Sequence, residues 1–193
     1  AGRMILSAAG NLDHDDLVRC AERVFKNVPQ HSAGSVPVGC YTGGKYCENR
    51  DLEQVHLVFG FEGVGLTDDD YFSQSVYSTA MGGGMSSRLF QEVREKRGLV
   101  YSLYTFNTAY QDGGLFGIYA GTSAEKVPEL INAVADECLG AANALLDDQE
   151  ITRARTQIKA EVLMSLESTS SRAERLARQL QVHGRIVPLG EIS

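Results

Sequence analysis

Apolar side chains recur along this chain at two periods, and the switches between them divide it into elements. Residues 4–9 form a short apolar run ending at Gly10. Leu17, Cys20, Ala21, Val24, Phe25 and Val28 then line one helical face behind Asp13 as its cap, so a strand followed by a helix is predicted. Residues 29–44 carry Pro, Gly, Ser and His with little periodicity, the pattern of a linker and a domain boundary. Over 54–61, Val55, Leu57, Phe59 and Phe61 alternate with His56, Val58 and Gly60, which predicts a strand with one buried face and His56 turned away from it. Residues 67–70 resemble a capping box opening a helix with Phe72, Val76 and Ala80 inward.

The C-terminal half continues the same way. Strands are predicted over 100–106 and 115–120, joined through the turn residues Gln111, Asp112, Gly113 and Gly114. Thr122 with Glu125 reads as a capping box ahead of a stripe of Val127, Leu130, Ile131, Val134, Cys138 and Leu145. Asp147 with Glu150 opens another helix, with Ile151, Ile158 and Val162 inward. Ser171 with Glu174 opens a third, with Ala173, Leu176, Ala177 and Leu180 inward, ended by Gly184. Strands interleaved with helices and finished by a helical run give an α+β fold, a mostly antiparallel sheet with helices layered on one face.

One stretch, residues 81–101, carries most of the candidate chemistry. Gly82, Gly83 and Gly84 free the backbone to adopt positive φ or to lie against a ligand, and Ser86 or Ser87 can cap the helix that follows. Leu89, Phe90 and Val93 are spaced as its inner face. Arg94, Lys96 and Arg97 crowd its last turn, Gly98 is placed for a left-handed C-terminal cap, and Leu99 begins a strand. Arg94 and Tyr101 thus flank a tight reversal, and both side chains are expected in one cleft. Each feature also has an ordinary explanation. Cations at a helix C-terminus are favoured by the macrodipole, and three glycines commonly make only a loop.

The run from Gly82 through Phe90, followed by Arg94-Glu95-Lys96-Arg97-Gly98-Leu99-Val100-Tyr101, resembles the second homologous domain of the pitrilysin, insulinase and mitochondrial processing peptidase family. The resemblance extends over residues 4–192, including the stretch 163–174. It implies the half-domain architecture shared with LuxS. It also implies that Arg94 and Tyr101 reach into the active site from the non-zinc half, holding substrate backbone and assisting the transition state. Gly82, Gly83 and Gly84 resemble the substrate-recognition loop of the noncatalytic processing-peptidase subunit.

The same resemblance makes the chain a piece of a longer zinc metalloendopeptidase acting on unfolded or presequence-like peptides. Residues 1–28 are expected to be the closing strand-helix unit of a preceding domain, 29–44 the linker, and 45–193 the substrate-clamping domain, truncated at its C-terminus. The family's inverted H-x-x-E-H zinc motif does not occur at His14, His31, His56 or His183, so zinc belongs to the intact protein and this chain alone is expected to bind no metal and cleave nothing. Expected partners are the peptide, the zinc-bearing half and a second subunit in a homodimer or heterodimer. The corresponding compartments are the bacterial cytoplasm or, in a eukaryote, the mitochondrial matrix. Residues 4–28 are expected to fill the sheet position left open by the truncation, in the same chain or a swapped copy. The alternative is a noncatalytic paralogue acting as a subunit, like the core subunits of ubiquinol-cytochrome c reductase; a blander one is an interaction domain in which Arg94 and Tyr101 make a local hydrogen bond.

Composition narrows this a little further. With 193 residues and 43% apolar content the chain can bury a full core, and length favours one domain, or a domain plus a fragment. A net charge of −7 argues against a nucleic-acid partner, which makes the basic cluster around Arg94 a local exception. Cys20, Cys40, Cys47 and Cys138 show no C-x-x-C spacing, so a reduced compartment is expected and Cys138 reads as a core residue. No apolar run approaches the ~20 residues needed to span a bilayer.

Overall fold

The computed structural model describes residues 4–29, 34 and 37–192. His31 lies outside them. The elements are α1 (His14–Phe25), β1 (Val55–Gly63), α2 (Tyr71–Gly82), a π-helix (Phe90–Lys96), β2 (Ser102–Ala109), β3 (Gly114–Thr122), a 3₁₀ turn (Ala124–Lys126), α3 (Val127–Ala144), α4 (Asp148–Ser165), α5 (Thr169–His183) and the short α6 (Leu189–Ile192). No helix among the described residues is long and apolar enough to cross a membrane.

The chain divides into two compact units, Ala1–Val38 with Lys159–Ser193, and Gly39–Ile158. The unit containing α1 also takes in the last helices. The second unit holds the sheet. Its order is β1-β3-β2, all antiparallel, with Phe59 opposite Ile118 and Thr105 opposite the same residue on the other side. Alternation puts Leu57 and Phe59 of β1, Leu103 of β2 and Phe116, Ile118 and Ala120 of β3 on one face. There they pack with Met81, Leu89, Val93, Leu130, Ala133 and Val134 from the helices. Fully burying each large side chain stabilises the fold by about 1.5–3 kcal/mol. The helices thus cover one face, and His56, as anticipated, lies on the other, exposed one.

The first unit departs most from expectation. Asp13 caps α1, accepting the Asp16 N–H at 3.0 Å, but residues 4–9 are not a strand, and among the described residues the sheet contains β1, β2 and β3 alone. The in-chain strand substitution expected for residues 4–28 is therefore not formed. No residue of α1 is buried, and Met4, Leu6, Val24 and Phe25 remain exposed. Without a neighbouring ladder, an apolar run has no backbone partners to make it a strand.

Several helix starts are corrected too. Asp147 and Glu150 form the expected reciprocal capping box (2.7 and 2.9 Å). At α5, however, the cap is Ser168, not Ser171, whose N–H it accepts at 3.3 Å. Asp70 leads α2 without a side-chain cap, while its own N–H donates to Asp68 at 2.9 Å. Thr122 does not cap; its hydroxyl faces backwards and donates to the Leu99 carbonyl. Gly184 ends α5 in the left-handed conformation, as its position predicts.

Candidate functional site

The helix after the glycine run is wound as a π-helix over Phe90–Lys96 rather than as an ordinary α-helix, a rare form enriched at functional sites. Leu89 and Val93 are wholly buried and fix its inner side, and Arg94 is exposed beside them. The three cations of its last turn are not equivalent. Glu92 accepts Lys96 Nζ at 2.7 Å and Arg97 Nε at 3.1 Å, and these hydrogen bonds hold its carboxyl below the usual carboxylate range. Arg94 makes no ion pair among the described residues; its guanidinium carbon lies 4.7 Å from the centre of the Phe90 ring. Sequence spacing places Phe90 as an inward apolar residue; in the structure its ring also meets the Arg94 guanidinium.

The reversal between Arg94 and Tyr101 is tied down at every step. Gly98 takes φ +59°, its N–H donates to Arg94 and the Leu99 N–H to Val93, both at 3.0 Å. Lys126 Nζ donates to the Gly98 carbonyl at 2.9 Å, Thr122 holds the Leu99 carbonyl, and the Tyr101 N–H reaches the Gly121 carbonyl at 2.9 Å. Because the Leu99 backbone is committed to the turn, β2 begins at Ser102 rather than at Leu99 or Val100. Leu99 and Val100 are buried and Tyr101 is 59% exposed, so two apolar anchors hold the phenol outside. Lys126 and the backward-facing Thr122 were invisible as parts of this corner, because their partners are backbone carbonyls more than twenty residues away.

The glycines are used differently from expectation. None of Gly82, Gly83 and Gly84 has positive φ. Gly82 is buried, and a Cβ there would lie 2.5 Å from Thr105 Cγ2 and 2.9 Å from the Thr105 nitrogen; at Gly83 it would lie 2.7 Å from Thr79 Cα. Close internal packing thus accounts for two of the three. Only Gly84 has ordinary room, with Gln157 at 3.6 Å. Neither expected serine cap forms: the Ser87 hydroxyl donates to the Gly84 carbonyl at 2.6 Å and the π-helix has no side-chain cap. Gln157 of α4 donates to the Gly83 carbonyl at 2.7 Å, and Arg88 clasps Glu150 with two bonds of 2.8 and 2.7 Å, tying this loop to the start of α4.

Among the described residues, no group of three His, Cys, Asp or Glu side chains is arranged to hold a metal ion. Burial pushes the Cys138 thiol up, in keeping with a packing role.

Comparison with known proteins agrees with this architecture. Residues 1–158 match the peptidase M16 inactive domain. An uncharacterized zinc protease of Rickettsia felis is 36% identical over 193 residues, covering all of this chain and 47% of that protein; one of Bacillus subtilis is 30% identical over 191 residues, covering 98% and 46%. The chain thus spans about half the length of these curated relatives. Among solved structures, a peptidase M16 inactive domain from Pseudomonas fluorescens aligns with a TM-score of 0.75 at 23% identity, over 95% of this chain and 43% of that one. A chain of complex III2 from Candida albicans aligns with a TM-score of 0.78 at 20% identity, over 95% and 46%. At these identities the two structures speak for the fold alone, but the domain match covers most of the sequence: the chain belongs to the peptidase M16 inactive-domain family.

Proposed function

We propose that this chain is the substrate-clamping half of a zinc metalloendopeptidase whose metal is held by the part of the protein outside these 193 residues. The observation that carries the reading is the singling out of Arg94. Lys96 and Arg97 share the Glu92 carboxylate, while Arg94 has no ion pair among the described residues and lies against the Phe90 ring. A guanidinium so placed suits a peptide carbonyl, and the phenol of Tyr101 can donate to an oxygen that gains negative charge as the peptide bond is attacked. Bound zinc would supply the activated water; among the described residues no His, Cys, Asp or Glu group is arranged to hold it, and the part of this chain is to bind and orient the peptide. Gly84, the member of the glycine run with open space beside it, is the one suited to close approach by a substrate backbone. The relatives at 30–37% identity carry zinc-protease names, which favours the enzyme over the noncatalytic-subunit reading.

Metal and activity measurements on two proteins test it. The full-length protein is expected to hold one zinc per chain after dialysis and to hydrolyse an unfolded peptide, while the 193-residue chain does neither. A full-length protein with no zinc and no hydrolysis overturns the enzyme reading, and stoichiometric zinc in the short chain overturns the division of labour.

A further inference from the structure

The sheet's uncovered face has an unusual composition. By register it carries His56, Val58, Gly60 and Glu62 from β1, Leu115, Gly117, Tyr119 and Gly121 from β3, and Ser102, Tyr104, Phe106 and Thr108 from β2. Glu62 is the one side chain of these twelve with a formal charge, in a chain whose residues are 22% charged. The middle row is Val58, Tyr119 and Tyr104. The two tyrosine rings stack with centroids 4.7 Å apart, and the Tyr119 hydroxyl lies 2.7 Å from His56 Nδ1.

Glycine lets one ring lie low. A Cβ at Gly117 would sit 2.2–2.6 Å from the Phe106 ring, so this aromatic folds down over bare backbone, while at Gly121 the nearest atoms are Ser102 Oγ at 2.8 Å and Gln54 Oε1 at 3.2 Å. The Phe106 ring laid down in this way offers a face to a ligand, while Tyr104 and Tyr119 stack on each other beside it. Tyr104 is nonetheless 49% exposed and Val58 60%.

We propose that this face is a docking floor for a neutral, extended peptide segment bearing aromatic or large aliphatic side chains. The near absence of charge disfavours acidic or basic segments, which would lose hydration there without gaining a partner. Size favours a segment over a second copy of the chain. Three strands of eight or nine residues make a face roughly 30 Å by 14 Å, about 400 Å², against about 800 Å² from each partner in a stable dimer. The inference rests on reading the chain as the substrate-facing half, and it adds the class of segment preferred.

The chain contains no tryptophan. A capped Ser-Ala-Trp-Ala-Ser peptide therefore reports its own binding by fluorescence anisotropy when the 193-residue chain is titrated in. Saturable binding is expected, weakened at least tenfold when lysine or glutamate replaces both alanines. Tyr104→Ser and Val58→Lys are each expected to weaken it tenfold or more, while Leu139→Ser, an exposed change on α3, leaves it within twofold. Val58→Lys places a charge on the face without touching the core, so it decides the matter if Tyr104→Ser does not fold. No binding to the unaltered chain, equal binding by the Val58→Lys chain, or a concentration-dependent dimer abolished by Val58→Lys overturns the proposal. Binding needs no cleavage, so loss of the enzyme reading with binding retained, or the reverse, separates the two ideas.

Discussion

Arg88 and Glu150 show how a charged pair can hold a site without belonging to it. Both side chains are largely buried, and hydrogen bonds from Arg88 pull the Glu150 carboxyl below the ordinary carboxylate range. A carboxylate lowered on folding contributes its stability above its unfolded pKa of about 4.3 and loses it as pH falls through the folded value. Glu150→Gln is therefore expected to cost about 2 kcal/mol at pH 6, with the difference from the unaltered chain shrinking towards pH 3. Urea melts at the two pH values check it, and a pH-independent difference would deny the ionic contribution. Leu145 offers the opposite case. It takes φ +63° and ψ 179°, a region nearly confined to glycine, while its side chain is 71% exposed. Leu145→Gly relieves the strain and gives up little burial, so a gain of about 1 kcal/mol is expected in the same melts. Sequence periodicity placed Leu145 on the inner stripe of α3; a residue whose conformation is set by the α3–α4 corner cannot be recognised from its hydrophobicity.

At the scale of elements, alternation located the strands well, because a sheet covered on one face writes a period of two into Leu57, Phe59, Ile118 and Ala120. The π winding after Leu89 was not legible, since apolar residues at 89, 90 and 93 suit an α-helix equally well. The left-handed cap at Gly98 was legible, because a glycine after basic residues at a helix end has few other uses. The glycine run stands out in the sequence, but its packing at two positions does not: Gly82 faces Thr105, a contact visible only once α2 docks on β2, and Gly83 lies against Thr79 one turn back in α2, where the chain leaves the helix. Gly82→Ala and Gly83→Ala are thus expected to destabilise by about 1–3 kcal/mol through overpacking, while Gly84→Ala changes stability little. Thermal melts of the three variants test this, and equal melting temperatures would return all three glycines to a purely ligand-facing role.

For the whole molecule, the family is legible in residues 82–101 because the glycine run, the basic helix end and the spacing of Arg94 and Tyr101 together resemble the peptidases' second domain. The fate of residues 4–28 was not readable, since an apolar run followed by an amphipathic helix has the same pattern whether or not a sheet is present to receive it. In the intact protein Arg94 and Tyr101 are expected to act on the substrate. Kinetics of the full-length protein carrying Tyr101→Phe test it most directly: the change removes one hydroxyl from an exposed ring, leaving Leu99, Val100 and the Gly121 backbone bond in place. The expected result is a fall in kcat of about a hundredfold or more, the scale of losing one oxyanion donor, with unchanged zinc content and melting temperature. A kcat within about twofold of the unaltered enzyme, a change too small for a lost transition-state contact, would contradict the account.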